Sequence, residues 1–206
     1  MASGTSNIIS TCPTGFQLLS CGTDNTQFVN WEKFRSWKAI DSKTCQCWDY
    51  FGMACVAWCT TLPVTGFEIK TTTSLSYFTA SCSAGKQVLG CHLYPNSALN
   101  NEVYRQTYPS STGSMCNCYD YFGADCVSTC STQVKNYEVV SVYGSGEIYV
   151  SCAQPTNRVL GCGINPNQAS TPNYERFRTS RVVSGNKCTC HDAAGAYCFA
   201  LCGQIW

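Results

Sequence analysis

The chain has 206 residues, with 13 Lys and Arg against 12 Asp and Glu for a net charge of +1, and it contains 18 cysteines. This neutral balance gives no basic surface for nucleic acid, and no apolar run is long enough to cross a membrane as a helix. The even and dense set of cysteines predicts disulfides, and therefore a secreted, extracellular protein.

Zinc binding is the other common use of closely spaced cysteines. It requires thiolates, which persist in reducing compartments, and the chain has only His92 and His191 to complete mixed sites. We therefore predict no metal and no cofactor. Because no apolar signal segment follows Met1 while the cysteines require export, we expect that a secretion signal has been removed.

The cysteines fall into three sets of six, and the first members of successive sets lie 70 residues apart. The last two intervals in every set are 8 and 4 residues. This period predicts three tandem modules, at 1–62, 63–132 and 133–206, with disulfides inside each module. The sets are Cys12, Cys21, Cys45, Cys47, Cys55 and Cys59; Cys82, Cys91, Cys116, Cys118, Cys126 and Cys130; and Cys152, Cys162, Cys188, Cys190, Cys198 and Cys202.

Each module opens with a short apolar segment between its first two cysteines, as in CPTGFQLLSC at 12–21, which predicts a turn that feeds a strand. After a long loop comes a cysteine-framed phrase, CQCWDYFGMAC at 45–55, CNCYDYFGADC at 116–126 and CTCHDAAGAYC at 188–198. Asp first and Gly fourth in its centre favour a type I turn within a β-hairpin. Counting outward from that turn places Cys47 opposite Cys55, and likewise Cys118 opposite Cys126 and Cys190 opposite Cys198.

The connections at 60–81 and 131–151 are rich in Thr, Val, Tyr and Ile with Gly breaks, which predicts strands and hairpins instead of flexible linkers. Little of the chain shows a helical period, so we predict an all-β fold. Because each module is too small to bury its apolar face alone, we expect the three modules to pack about a pseudo-threefold axis.

The order of the cysteines, with LLSC or VLGC before the long loop, resembles the modules of the Cys/His-rich C-terminal domain of proprotein convertase subtilisin/kexin type 9. The resemblance covers residues 8 to 206. It implies three six-cysteine β modules with quasi-threefold symmetry, as in the resistin homotrimer, and it implies interaction with protein partners and not catalysis. The chain departs from this family in the spacing of its last two cysteines and in its small number of histidines.

The resemblance also implies a disulfide pairing. It joins Cys12 to Cys59 and Cys21 to Cys45, and leaves Cys47 to Cys55. The equivalent pairs are Cys82–Cys130, Cys91–Cys116 and Cys118–Cys126, then Cys152–Cys202, Cys162–Cys188 and Cys190–Cys198. Six cysteines allow fifteen pairings, so the residues alone leave the choice open.

The long loop carries a repeated phrase, Asn-x-Glu-x-aromatic-Arg. In an extended segment its Asn, Glu and aromatic side chains point to one face, where they could hold a sugar by stacking and hydrogen bonding. Alternatively, Glu and Arg form ion pairs between modules and the aromatic ring fills the interface. The candidate ligand-binding residues are Asn30, Glu32 and Phe34; Asn100, Glu102 and Tyr104; and Asn173, Glu175 and Phe177, and the arginines are Arg35, Arg105 and Arg178.

Aromatic residues at the predicted turn form a second candidate site. Trp48 and Tyr119 occupy equivalent positions, but the third module has His191 there. Trp48 is followed by Tyr50 and Phe51, Tyr119 by Tyr121 and Phe122, and His191 by Ala193 and Ala194. Exposed rings in two of three modules favour binding, and the alternative is edge packing between modules.

No catalytic group is assembled in the sequence, because the two histidines lie in different modules and neither belongs to a repeated His-Ser-Asp or Cys-His grouping. The turn residues Asp49, Asp120 and Asp192 are expected to cap backbone amides. We therefore predict a non-enzymatic protein. The features favour a multivalent, lectin-like or protein-binding molecule whose partner is an extracellular glycan or a cell-surface or matrix protein. The alternative is a structural or adhesive protein of the extracellular matrix.

Overall fold

A computed structural model describes residues 2–24, 35–95, 105–166 and 178–205. All regular secondary structure in these ranges is β-strand, which confirms the all-β prediction. The strands are β1 (Ala2–Thr11), β2 (Gln17–Asp24), β3 (Arg35–Ala39), β4 (Thr44–Thr60), β5 (Glu68–Ser81), β6 (Gln87–Pro95), β7 (Arg105–Pro109), β8 (Met115–Ser131), β9 (Val134–Ser151), β10 (Arg158–Asn165), β11 (Arg178–Ser184) and β12 (Lys187–Ile205). Within the same ranges we find no helix with the length and hydrophobicity that a membrane crossing requires.

The long strands β4, β8 and β12 organise the sheet, because each pairs antiparallel with three others. β4 pairs with β1, β2 and β3; β8 with β5, β6 and β7; and β12 with β9, β10 and β11. A four-stranded group therefore occurs within each of 1–62, 63–132 and 133–206. The predicted boundaries fall in the connections after β4 and after β8, and they stay predictions.

The third strand of each group contacts the second strand of another. Trp37 on β3 pairs with Leu93 on β6, and Thr107 on β7 pairs with Ile164 on β10. β11 packs on β2 so closely that a Cβ on Gly22 would lie 2.6 Å from the Ser180 carbonyl oxygen. The three groups therefore contact one another in a closed ring.

The second strands β2, β6 and β10 line the centre of this ring. Six successive residues of each strand are buried, so both of its faces are covered. Three equivalent residues meet there, namely Ser20, Gly90 and Gly161. The residues before them, Leu19, Leu89 and Leu160, are buried in one core cluster.

All 18 cysteines are paired in nine disulfides, with Cα–Cα distances of 5.4 to 5.9 Å. These are the pairs that the family resemblance and the cysteine spacing led us to expect, and each lies inside one set of six. The pairs are Cys12–Cys59, Cys21–Cys45, Cys47–Cys55, Cys82–Cys130, Cys91–Cys116, Cys118–Cys126, Cys152–Cys202, Cys162–Cys188 and Cys190–Cys198.

The predicted hairpin at the cysteine-framed phrase is wrong, because β4, β8 and β12 each run through it as one strand. A straight strand of eight residues would span about 26 Å, whereas the Cα atoms of Cys118 and Cys126 are 5.8 Å apart. The strand therefore bends back sharply, and we call this bend the corner. The neighbouring strand bends with it, so that Leu75 of β5 stands opposite residues 121–123 of β8.

Two further differences concern the ends of the groups. The connections after the first and second modules contain single long strands, β5 and β9, where strands and hairpins were predicted. The first residues of the chain form β1, a strand that was not predicted from the sequence. β1 pairs along both limbs of β4, as β5 does with β8 and β9 with β12.

Candidate functional site

The residues of the repeated long-loop phrase lie mostly outside the described parts of the chain. The nine residues are Asn30, Glu32, Phe34, Asn100, Glu102, Tyr104, Asn173, Glu175 and Phe177. The arginines that close the phrase begin β3, β7 and β11. Arg35 stands in register opposite Asp49, Arg105 opposite Asp120, and Arg178 opposite Asp192.

The predicted turn aromatics lie on strands, next to the corner. Trp48 on β4 is half-buried, between Asn7 of β1 and Ser36 of β3. Tyr119 on β8 is also half-buried, and its ring centroid lies 4.5 Å from that of Tyr77 on β5. Tyr77 is 70% exposed, so this pair presents aromatic surface to solvent.

The aspartate that precedes the second corner has the predicted capping role. The Asp120 carboxylate is fully buried, and its Oδ1 accepts a hydrogen bond of 2.8 Å from the backbone N–H of Phe122. A side chain that accepts from a backbone amide two residues later stabilises a local turn. Asp120 thus supports the corner from within the strand.

Further aromatic rings continue from Tyr77 and Tyr119 onto the third group of strands. Tyr108 on β7 stacks on Phe199 of β12, with ring centroids 5.4 Å apart and an interplanar angle of 22°. Burial, and then the neighbouring Tyr77, raises the pKa of the Tyr108 hydroxyl. Tyr108 stands in register opposite Asn117, two residues from Tyr119 on the same face of β8, so it lies diagonally between the Tyr77–Tyr119 pair and Phe199.

The series ends on β9. Tyr197 lies 6.4 Å from Phe199 and 5.1 Å from Tyr143, which is 54% exposed. We call the whole series the aromatic stripe; its members are Tyr119, Tyr77, Tyr108, Phe199, Tyr197 and Tyr143. Ring centroids are 4.5 to 6.4 Å apart in four of its pairs, Tyr77–Tyr119, Tyr108–Phe199, Phe199–Tyr197 and Tyr197–Tyr143, which is favourable for aromatic pairs. It crosses the contact between the second and third groups on the outer face of the sheet.

Among the stripe residues, only Tyr119 was predicted from the sequence as a binding residue. Tyr197 and Phe199 flank Cys198, whose side chain is buried in its disulfide, so the alternation of a strand places both rings on the opposite face. This alternation is a local signal that could have identified both rings. The contact of Tyr108 with Phe199 has no local signal, because 91 residues separate them in the sequence.

The positions equivalent to Tyr108 are charged at the other two contacts between groups. Lys38 on β3 forms an ion pair with Asp125 at 3.1 Å, and its Nζ lies 4.2 Å from the centroid of the Tyr94 ring. Lys38 therefore takes part in both an ion pair and a cation–π contact at this site.

At the third contact, Arg181 on β11 forms an ion pair with Asp24 of β2, at 3.1 Å from Nε to Oδ1. Burial raises the pKa of Asp24, and the neighbouring Arg181 opposes that increase. The three contacts between groups thus share a backbone plan but differ in chemistry. The uncharged aromatic surface occurs where Tyr108 stands.

Two carboxylates lie beside disulfide sulfurs in the described part of the chain, Glu68 near Cys82–Cys130 and Glu138 near Cys152–Cys202. These sulfurs are bonded to each other and offer no thiolate for a metal. Glu68 instead accepts hydrogen bonds from Lys86 Nζ and from the backbone of Ser83, at 2.8 and 2.7 Å. Burial would raise the pKa of Glu68, but these bonds outweigh it and lower the pKa to about 2.

Comparison with known proteins gives no relative from which a function could be transferred. No protein-family model matches the chain, and no curated protein matches it. The candidate site therefore has to be interpreted from its own geometry.

Proposed function

We propose that this chain is a secreted, non-enzymatic, lectin-like protein that binds uncharged glycan chains on the aromatic stripe. The stripe is the observation that carries the proposal. Tyrosine rings offer a flat apolar face and a hydroxyl that exchanges hydrogen bonds, and the sugar ring has the matching combination of apolar face and hydroxyl edge. A row of such rings suits an extended chain of sugar units.

The surface chemistry favours a neutral ligand. The six stripe residues carry no charge at neutral pH, whereas Lys38 and Arg181 occupy the equivalent positions at the other two contacts. Contiguous exposed aromatic surface of this kind is typical of an interaction site. The nine disulfides support an extracellular setting, where such bonds persist.

The repeated long-loop phrase belongs to the same proposal. Each copy precedes the third strand of a group in the sequence, and Glu32, Glu102 and Glu175 are each three residues before the arginine that begins that strand. If each loop adds a weak contact, a repeated glycan would gain affinity through avidity. We propose these loops as secondary contacts, and the stripe as the principal one.

A structural or adhesive matrix protein is the second candidate. The dense disulfides and the exposed tyrosines, Tyr77, Tyr143 and Tyr149, favour it. An adhesive protein would use these rings to contact other copies or surfaces without selecting a sugar. The two candidates therefore differ in whether binding saturates with one class of glycan.

Glycan binding is tested by a glycan array followed by calorimetric titration of the best ligand. Tyr77→Ala and Tyr143→Ala should each lower the affinity for that ligand by about 3- to 10-fold, because a ring contact contributes about 0.5–1.5 kcal/mol. Tyr149→Ala is the matched control. It removes a ring on β9 that is exposed to a similar degree, 49% against 54% for Tyr143, but lies outside the stripe.

The proposal is wrong if no glycan binds saturably, or if Tyr149→Ala weakens binding as much as Tyr143→Ala does. Concentration-dependent self-association without glycan binding would favour the adhesive candidate. Because the replaced rings are exposed, the melting temperatures of all three variants should stay close to that of the wild type.

A further inference from the structure

A pocket of about 420 Å³ opens between the first and third groups of strands, away from the aromatic stripe. Its walls include the apolar side chains of Leu19, Leu160, Ile205 and Trp58, and Arg158 lies among its lining residues. Its volume is within the range of about 300–1,000 Å³ typical of small-molecule sites. The pocket has an apolar interior with few polar groups, which is the usual composition of such sites.

Trp58 forms a fixed wall of this pocket. Its indole N–H donates a hydrogen bond of 2.9 Å to the carbonyl oxygen of Val159, on the opposite side of the cleft. Thr129 and Leu201 stand at the equivalent positions before the last cysteine of their groups, and both are fully buried. Trp58 is only half-buried, so its ring presents an anchored apolar surface to a ligand.

Arg158 supplies a positive charge to the pocket. It begins β10 at the place where β2 has Gln17 and β6 has Gln87. Gln17 is engaged within the protein, because its Oε1 accepts a hydrogen bond of 2.6 Å from the backbone N–H of Val64. Arg158 is exposed, and no described residue forms an ion pair with it.

We propose that this pocket binds a small carboxylate with an apolar body, such as a medium-chain fatty acid or an aromatic acid. The carboxylate would pair with the Arg158 guanidinium, whose planar fork matches two carboxylate oxygens. The apolar body would lie against Trp58 and Leu160. This site is separate from the aromatic stripe and does not depend on glycan binding.

The test is titration of the full chain with decanoate and, in parallel, with decanol, which has the same chain length and no charge. Decanoate should bind up to about 5-fold more tightly, because an ion pair with an exposed arginine contributes about 0.2–1 kcal/mol. Titration with 3-phenylpropanoate shows whether the pocket prefers an aromatic or an aliphatic body. Tighter binding of decanoate than of decanol supports the proposal.

The chain offers matched variants for each wall of the pocket. Arg158→Gln introduces the residue found at positions 17 and 87, and it should remove the preference for acid over alcohol. Trp58→Leu introduces the residue found at position 201, and it should lower the affinity for decanoate and for decanol by the same factor. Lys187→Gln, which removes an exposed cation on β12, should change neither, and Tyr143→Ala should leave decanoate binding intact.

Two results would overturn the proposal. Equal affinity for decanoate and decanol would show that Arg158 takes no part in binding, and unchanged decanoate affinity in Arg158→Gln would show the same. Trp58→Leu also removes the hydrogen bond to Val159, so its melting temperature is measured first. If this variant does not fold, Arg158→Gln, which changes an exposed side chain, decides the question alone.

Discussion

His92 is fully buried on β6, next to the centre of the ring. Its Nε2 lies 3.5 Å from Thr129 Oγ1, and the Thr129 hydroxyl donates to the carbonyl oxygen of Leu19 at 2.7 Å. The Thr129 hydrogen is thus used, so Nε2–H of a neutral His92 is the donor in this contact. Nδ1 has no hydrogen-bond partner among the described residues. Burial lowers the pKa of His92 to about 3.

This burial predicts a dependence of stability on pH. In the unfolded chain the pKa of a histidine is about 6.5. Since the folded pKa is lower, the unfolded state binds the extra proton between about pH 6.5 and pH 3. Above about pH 6.5 the stabilising contribution of neutral His92 is complete. As the pH decreases from there, the free energy of unfolding should decrease by up to about 1.4 kcal/mol per pH unit.

Denaturant unfolding between pH 7 and pH 4 measures this slope. His92→Gln should flatten it, because glutamine does not titrate. An unchanged slope in His92→Gln would show that carboxylates alone cause the loss of stability in this range.

The corners of β4, β8 and β12 show how an element departs from its local signal. At the second corner Gly123 has φ of +101°, and at the third Gly195 has φ of +110°. Such values are strained for any residue with a Cβ. In β8 the corner is also supported by the Asp120 side chain and closed by Cys118–Cys126.

Replacement of Gly123 should therefore destabilise the protein. In Gly123→Ala the alanine would have to keep the positive φ of Gly123, and its Cβ would lie 3.0 Å from Leu75 Cδ2. We expect a loss of about 1–2 kcal/mol in the free energy of unfolding. Gly185→Ala is the control, because its nearest contact would be 3.4 Å from Arg158 Cδ and its φ is outside the left-handed region. Equal stability of the two variants would contradict this account of the corner.

The sequence was sufficient for those features that depend on local pattern or on the cysteine period. The Thr-, Val-, Tyr- and Ile-rich connections indicated strands, and the 70-residue period indicated disulfides inside each set of six cysteines. A hairpin was predicted at the corner because Asp and Gly favour a sharp change of chain direction, which a hairpin turn and a bent strand both require. Only the pairing of β1, β5 and β9 along both limbs distinguishes the two, and that pairing is not encoded at the corner itself.

Neither the aromatic stripe nor the pocket could be predicted from sequence. Each is formed by residues that come together where two groups meet, such as Tyr108 with Phe199 and Trp58 with Val159. The residue types at these contacts differ from one repeat to the next, so the repeat gave no signal. The long-loop phrase did repeat, but its Asn, Glu and aromatic residues lie outside the described parts of the chain.

At the scale of the whole molecule, the centre of the ring has the strictest steric requirement. Ser20, Gly90 and Gly161 approach one another there, and only residues without a large side chain fit. The outer contacts tolerate lysine, tyrosine or arginine at equivalent positions, namely Lys38, Tyr108 and Arg181. The molecule thus combines a restricted centre with surfaces that vary in charge, which is how one fold can carry two different candidate sites.

Substitution at the centre gives the last prediction. In Gly161→Ala the added Cβ would overlap the carbonyl oxygen of Leu89, which belongs to the backbone of β6 and cannot rotate away. In Gly90→Ala the overlap is mainly with the side chain of Ser20. Both variants should lose about 1–3 kcal/mol of unfolding free energy through overpacking, measured by guanidinium denaturation.

The two variants should differ in how they respond to a second change. Ser20→Gly removes the side chain that the added Cβ of Gly90→Ala would overlap. The double variant of these two changes should therefore recover most of the lost stability. The same change leaves the Leu89 carbonyl in place, so Gly161→Ala should be rescued only in part. Double-mutant cycles measure this difference directly, because residues in contact are not additive. Equal rescue of both variants, or a Gly161→Ala protein as stable as the wild type, would show that β2, β6 and β10 do not meet as closely as the structure places them.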